Sequence, residues 1–70
     1  MLTKLSSEKI GENLKRLIKE SDYHTQVAFA KACGEKDRTI RRWVKNGITK
    51  IDDIATVAKT LDVDVKALLF

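Results

Sequence analysis

Apolar residues recur at intervals of three and four along nearly the whole of this 70-residue chain, and no proline interrupts the pattern. This is the spacing of one face of an α-helix, whereas a half-buried strand would alternate apolar and polar residues. A chain of this length buries only about 60% of its unfolded surface, and it holds one domain at most. We therefore expect an all-α fold in a single domain spanning residues 1–70.

The first two of five predicted helices have clear start and stop signals. Helix one begins after Ser6 or Ser7, because either serine is a good N-cap. Helix two is predicted over residues 26–33, with Thr25 as its N-cap. Gly34 ends it, since glycine enters left-handed backbone geometry without steric cost.

Three further helices complete the prediction. The third covers residues 37–46, and Thr49 with Asp52 three residues later resembles a capping box that starts the fourth. Asp62 suits a left-handed turn, and Asp64 suits the N-cap of a short last helix. The apolar residues at helical spacing are Ile10, Leu14, Leu17, Ile18, Val27, Phe29, Ala30, Cys33, Ile40, Trp43, Val44, Ile51, Ile54, Ala55, Val57, Ala58, Leu61, Val65, Leu68 and Leu69.

Positive charge is concentrated in the middle of the chain. The net charge is +4, but residues 31–50 alone hold seven basic and two acidic residues. Residues 1–30 are nearly neutral, and residues 51–70 are acidic. A basic segment between such neighbours is typical of a surface that binds a polyanion. From charge alone, a merely solvated face is an equal alternative.

The predicted third helix has two opposite faces. Its cations are spaced i, i+3, i+4 and i+7, so they share one stripe and repel each other by a few tenths of a kcal/mol per pair. Some other interaction must compensate for this repulsion. The cations are Arg38, Arg41, Arg42 and Lys45, and the apolar residues of the opposite face are Ile40, Trp43 and Val44.

Several classes of function find no support in the sequence. The single cysteine, Cys33, cannot form an internal disulfide, and no Cys and His residues have the spacing of a zinc site. No apolar run approaches the roughly 20 residues that span a bilayer, and residues 1–7 lack the apolar core of a secretory signal. The one histidine, His24, has no carboxylate or nucleophile at motif spacing. We expect a cytoplasmic protein that is not an enzyme and has no cofactor or metal.

Residues 26–45 resemble the helix-turn-helix of the phage Cro and lambda-repressor-like family of transcriptional regulators. The match includes a small residue between the helices, a glycine at the turn and two buried sites in the second helix. These positions are Ala30, Gly34, Ile40 and Trp43. Thr25-Gln26 is similar to the family's start of helix two, and residues 51–69 follow its closing pattern of two apolar helices. The resemblance implies a compact five-helix domain whose helices 2 and 3 form the helix-turn-helix.

The resemblance also implies which residues contact DNA. The family's base-contacting positions correspond to Asp37, Arg38, Arg41 and Arg42. Arginine pairs bidentately with guanine, so a guanine-containing half-site is expected. Asp37 either accepts a hydrogen bond from a cytosine amino group or caps helix three. The candidate phosphate contacts are Gln26, Lys45, Asn46, Thr49 and Lys50.

We expect a sequence-specific regulator of double-stranded DNA, a repressor, that binds a palindromic operator as a homodimer. The dimer rests on the apolar C-terminal end, where Leu68 is assigned to the core while Leu69 and Phe70 are expected to stay exposed. Two alternatives remain. One is a protein-interaction module that presents its basic face to an acidic partner, and the other is a DNA-binding domain from a longer regulator or recombinase.

Overall fold

The computed structural model describes residues 7–70, and it is all-helical within that range. The predicted N-cap Ser6 lies outside the described residues. The five expected helices are present, and those predicted over 26–33 and 37–46 have the predicted bounds. The helices are α1 (Ser7–Glu20), α2 (Gln26–Cys33), α3 (Asp37–Asn46), α4 (Ile51–Leu61) and α5 (Val65–Leu69). No helix within the described range has the length and apolar content needed to cross a membrane.

Helix α1 lies at the centre of the packing. It contacts α2, α3 and α5, while α4 packs against α2 and α5. Leu14 and Ile18 are the fully buried centre of its apolar face, whereas Leu17 is only partly buried. The core is thus one cluster that all five helices share. Its members are Ile10, Leu14, Ile18, Phe29, Ala30, Ile40, Trp43, Ile48, Ile54, Val57, Ala58, Leu61 and Leu68.

Gly11 allows α1 and α3 to approach closely. A Cβ atom at this position would clash with the carbonyl oxygen of Val44 and would lie 2.9 Å from that of Trp43. Both atoms belong to the backbone, so no side-chain rotation relieves the contact. The last turn of α3 is therefore held directly against the first half of α1.

Four of the predicted helix signals are confirmed. The Thr25 side chain accepts a hydrogen bond from the Ala28 N–H at 3.1 Å, and Asp64 accepts one from the Lys66 N–H at 2.9 Å. Gly34 ends α2 with φ at 75°, the left-handed geometry that favours glycine. Asp62 adopts the same geometry after α4, with φ at 59°.

The predicted capping box of α4 is wrong. The helix begins at Ile51 after Lys50, which makes no side-chain capping bond, and Thr49 lies one residue too early. Ile48 is the physical reason, because it is buried in the core and holds the preceding loop inward. Ile51 itself is 80% exposed instead of buried. Sequence spacing did not identify Ile48 as a core residue.

Two further predictions, the burial of Val27 and the exposure of Leu69, are also wrong. Val27, in the first turn of α2, is 52% exposed because it faces a surface groove. Leu69 was expected to stay exposed, but it is partly buried and packs against the core. Leu68 is fully buried as predicted, and Phe70 is 73% exposed.

Candidate nucleic-acid interface

Helices α2 and α3 are joined by the tight turn that the sequence predicts. The Gly34 N–H donates hydrogen bonds to carbonyl oxygens at the end of α2. The Glu35 N–H donates a hydrogen bond to the Ala30 carbonyl oxygen at 2.9 Å. The chain then reverses through Glu35 and Lys36, and α3 begins at once. Ala30 is buried in the core, so a larger side chain at this position would overpack it. This local geometry aims one face of α3 outward.

Helix α3 separates its apolar and cationic residues on opposite sides. Ile40 and Trp43 are buried in the core, and Val44 packs against it. The four cations predicted to form a stripe are all exposed. Because they point away from the core, all four are accessible to a partner along the full length of α3. They are Arg38, Arg41, Arg42 and Lys45.

Two surface grooves flank this stripe, and they divide most of the candidate residues between them. The groove between the end of α3 and the start of α4 brings together four of them, namely Arg42, Asn46, Thr49 and Lys50. The groove between α1, α2 and α3 brings together three others, namely Gln26, Asp37 and Arg41. Arg38 and Lys45 line neither groove and lie on the ridge between them.

Asp37 does not cap α3. The N-cap position is Lys36, without a side-chain capping bond, and Asp37 is the first residue of the helix. Its Oδ2 atom lies 3.4 Å from Nε of Arg41, one turn further on. This ion pair offsets part of the repulsion within the cationic stripe. A carboxylate in the first turn also interacts favourably with the helix dipole.

The second groove contains two cations that were not among the contacts predicted from the sequence. Lys15 and Lys19 of α1 line it together with Gln26 and Arg41. The spacing of the two lysines by one turn was visible in the sequence, but their position beside α2 depends on how α1 packs. His24 is also exposed at this groove, and its Nδ1 lies 3.2 Å from the Lys19 carbonyl oxygen. The basic surface therefore extends beyond α3.

The aromatic residues near the site have structural roles. Trp43 is buried, as predicted, and it offers no platform for stacking bases. The Tyr23 hydroxyl donates to the Thr60 carbonyl at 3.3 Å, and its ring contacts Phe29 edge-on at 5.7 Å between centroids.

Cys33 is half-buried and packs against the core. Burial raises the pKa of its thiol; a hydrogen bond with Thr60 acts in the opposite direction, and nearby Glu35 adds to the rise. A thiol with a raised pKa stays protonated at neutral pH and is a poor nucleophile. Among residues 7–70, no three His, Cys, Asp or Glu side chains are placed to hold a metal ion.

Solved structures share this arrangement of helices, although no protein-family model and no curated protein matches the chain. The SOS-response transcriptional repressor LexA from Eubacterium rectale is similar over all of this chain and 74% of its own, with a TM-score of 0.81 and 24% identity. The chain has a helix-turn-helix fold. At this level of identity, the similarity establishes the fold alone. It does not single out the Cro and lambda-repressor-like family.

The same fold also occurs within an enzyme. Hydroxypropylphosphonic acid epoxidase from S. wedmorenis matches 97% of this helix-turn-helix chain with a TM-score of 0.81 and 24% identity. A structure of apo-HppE matches 93% with a TM-score of 0.80 and 22% identity. This chain covers only 36% of either one. The helix-turn-helix fold is therefore found in more than one kind of protein.

Proposed function

We propose that this protein is a sequence-specific regulator that binds double-stranded DNA by placing α3 in the major groove. One observation carries the proposal: the exposed face of α3 is a stripe of four cations, opposite the buried Ile40 and Trp43. A major groove is wide enough to admit a helix. The second helix of a helix-turn-helix is the one that enters it.

The proposed contacts divide into two groups. Residues of α3 contact base edges, and each good arginine pair with guanine gives about 1–3 kcal/mol of discrimination. Residues at the two flanking grooves, together with Lys45 in the last turn of α3, contact the backbone phosphates and so set the register of the protein on DNA. The first group is Arg38, Arg41 and Arg42, with Asp37 beside Arg41 in the first turn of α3. The second group is Gln26, Lys45, Asn46, Thr49 and Lys50.

We infer that the protein is a transcriptional repressor, because the similar LexA chain is a transcriptional repressor. Membership of the Cro and lambda-repressor-like family stays part of this proposal, resting on Ala30, Gly34 and the two buried residues of α3. The proposed role is binding alone, without catalysis, and it takes place in the cytoplasm where the protein would meet duplex DNA.

We propose further that two copies bind one palindromic operator. Phe70, just after the end of α5, is 73% exposed, and Val65, at the start of the same helix, is 38% exposed. Exposed large apolar side chains are candidates for a contact surface. A two-fold contact between α5 ends would present two copies of α3 to successive major grooves, about 34 Å apart. Doubling the module gives useful selectivity among many competing sites.

Selection of binding sites from random duplexes, at stated salt, tests this function. We expect enrichment of a guanine-containing palindrome and an affinity that falls steeply with salt, because each phosphate contact releases about 0.9 counterion. The proposal would be contradicted if no sequence is enriched, or if the affinity does not change between low and physiological ionic strength.

A protein-interaction module is the second candidate. The exposed cations of α3 favour any polyanionic partner, and the same fold also occurs within an epoxidase chain. In that case, the basic face would bind an acidic protein surface. Binding to an acidic partner that duplex DNA does not displace would support this second candidate over the first.

A further inference from the structure

We propose that Asp37 is a positioning residue for Arg41, and that the pair discriminates guanine at one base pair of the half-site. This inference rests on the proposed function and adds a specific role for an acidic residue in a basic surface. From the sequence, Asp37 was expected to contact a base directly or to cap α3. The structure has no cap there and pairs the carboxylate with Arg41 instead.

The geometry of the pair suits this role. The carboxylate Oδ2 of Asp37 faces Nε of Arg41 at 3.4 Å. A guanidinium that faces its ionic partner with Nε keeps its two terminal amino groups available for other acceptors. Guanine presents two acceptors, O6 and N7, side by side on its major-groove edge. An ion pair on the Nε side favours side-chain conformations in which the terminal amino groups face away from Asp37, so less rotational freedom is lost when they meet both acceptors.

Arg41 differs from the other arginines of α3 in having this partner. Within the described part of the chain, neither Arg38 nor Arg42 forms an ion pair. Arg42 lies instead at the groove with Asn46 and Lys50, which are candidate phosphate contacts. The structure thus orients one arginine of the stripe and leaves the others free to adapt to bases or phosphates.

The exposure of the pair argues against a mainly structural purpose. The Arg41 and Asp37 side chains are 66% and 40% exposed. Exposed ion pairs add little to folding stability. A carboxylate beside DNA also repels phosphates, so Asp37 weakens binding to every sequence. Such a residue is useful if it penalises wrong sequences more than the right one, because specificity is a difference of affinities.

The test compares variants on the selected operator and on every single base-pair change within one half-site, at fixed salt. Compared with wild type, the Arg41→Ala variant should lose roughly 5- to 150-fold of its preference for the operator over a duplex in which one guanine-cytosine pair is changed. Asp37→Asn should lose about two- to fivefold at that same pair while its affinity for unrelated duplexes rises. Adding Asp37→Asn to Arg41→Ala should cause no further loss, because the two residues act as a unit.

Two controls separate positioning from charge and from stability. Asp37→Glu keeps the carboxylate one turn before Arg41 and should restore discrimination. Glu35→Ala removes a nearby acidic group outside the pair, so it should raise affinity for all duplexes without relaxing any one base pair. If Asp37 had a merely structural role, replacing it would weaken binding to all sequences alike.

The outcomes distinguish failure of this inference from failure of the function. If wild type selects an operator but Asp37→Asn keeps full discrimination at the Arg41 base pair, the positioning role is wrong and the function stands. If Asp37→Asn relaxes a different base pair from Arg41→Ala, Asp37 contacts a base directly. If wild type selects no sequence, both proposals fail.

Discussion

Asn13 of α1 donates a hydrogen bond from Nδ2 to the backbone carbonyl oxygen of Leu68 in α5 at 2.7 Å. Asn13 is 1% exposed and is the buried polar residue of the described core. The last carbonyls of a helix have no partner within that helix, so they need one from elsewhere. A residue near the start of the chain therefore satisfies the final helix, and this contact joins the two ends of the fold.

Replacing Asn13 should destabilise the protein. Asn13→Ala leaves the Leu68 carbonyl buried without its donor, which costs about 1–3 kcal/mol in the free energy of unfolding. Asn13→Asp keeps the side-chain volume but places a carboxylate against the carbonyl, so we expect a larger loss at neutral pH. Denaturant unfolding measures both, with exposed Glu12→Ala as the control on the same helix. An Asn13→Ala variant that unfolds at the wild-type midpoint would show that the hydrogen bond is unimportant.

Gly11→Ala should destabilise the fold although the same change usually stabilises a helix interior by about 1 kcal/mol. The added Cβ meets the backbone carbonyls of Val44 and Trp43, so α1 and α3 must separate. We expect a net loss of about 1–3 kcal/mol, as for an overpacked core. Thermal unfolding provides the measurement, and Glu12→Ala again provides the control. A rise in Tm would mean that the interhelical contact yields at little cost.

The two left-handed helix ends should respond in opposite directions. Gly34→Ala has space for its methyl group but places it at φ 75°, which costs about 1 kcal/mol. Asp62→Gly relieves the same strain after α4, and we expect a gain of about 0.5 kcal/mol after the entropy cost of glycine. Asp62→Asn removes the charge while keeping a residue that tolerates this geometry, so it separates the two effects. Equal Tm changes for the glycine and asparagine variants would assign the effect to charge.

Arginine and lysine variants should affect DNA binding differently. Arg38→Ala or Arg42→Ala should lower affinity for the selected operator by about 1–3 kcal/mol and relax preference at particular base pairs. Lys50→Ala should weaken all sequences alike and reduce the salt dependence by about one phosphate contact. Arg16→Ala removes an exposed cation of α1 that lines neither groove, so it serves as the control. If both arginine variants keep wild-type selectivity, α3 is not in the groove as proposed.

Phe70→Lys should weaken self-association. The ring is 73% exposed, so the substitution leaves the core intact while it places a charge in the proposed contact between two copies. Sedimentation and titration of a palindrome against a half-site measure the effect. Leu69→Lys is a poorer probe because Leu69 packs against the core, whereas exposed Ala55→Lys is a matched control for added charge. A wild-type protein that stays monomeric at high micromolar concentration and binds one per palindrome would exclude the dimer.

Local rules in the sequence determined much of this protein. The spacing of apolar residues and the signals at Thr25, Gly34 and Asp64 were enough to predict α2, α3, α5 and the turn between α2 and α3. The two-faced character of α3 also followed from the sequence. These features depend on residues within about one helical turn of each other, so they can be derived without knowing how the helices pack.

Only the tertiary structure decided the features that join distant parts of the chain. Asn13 and Leu68 are 55 positions apart, and nothing at either position alone indicates the hydrogen bond between them. Ile48 is buried just before Thr49, and α4 begins after both residues. Lys15 lies on the basic surface because α1 packs beside α2. Such contacts arise from the mutual fit of whole helices, because each helix can bury its apolar face in several arrangements and close packing selects one.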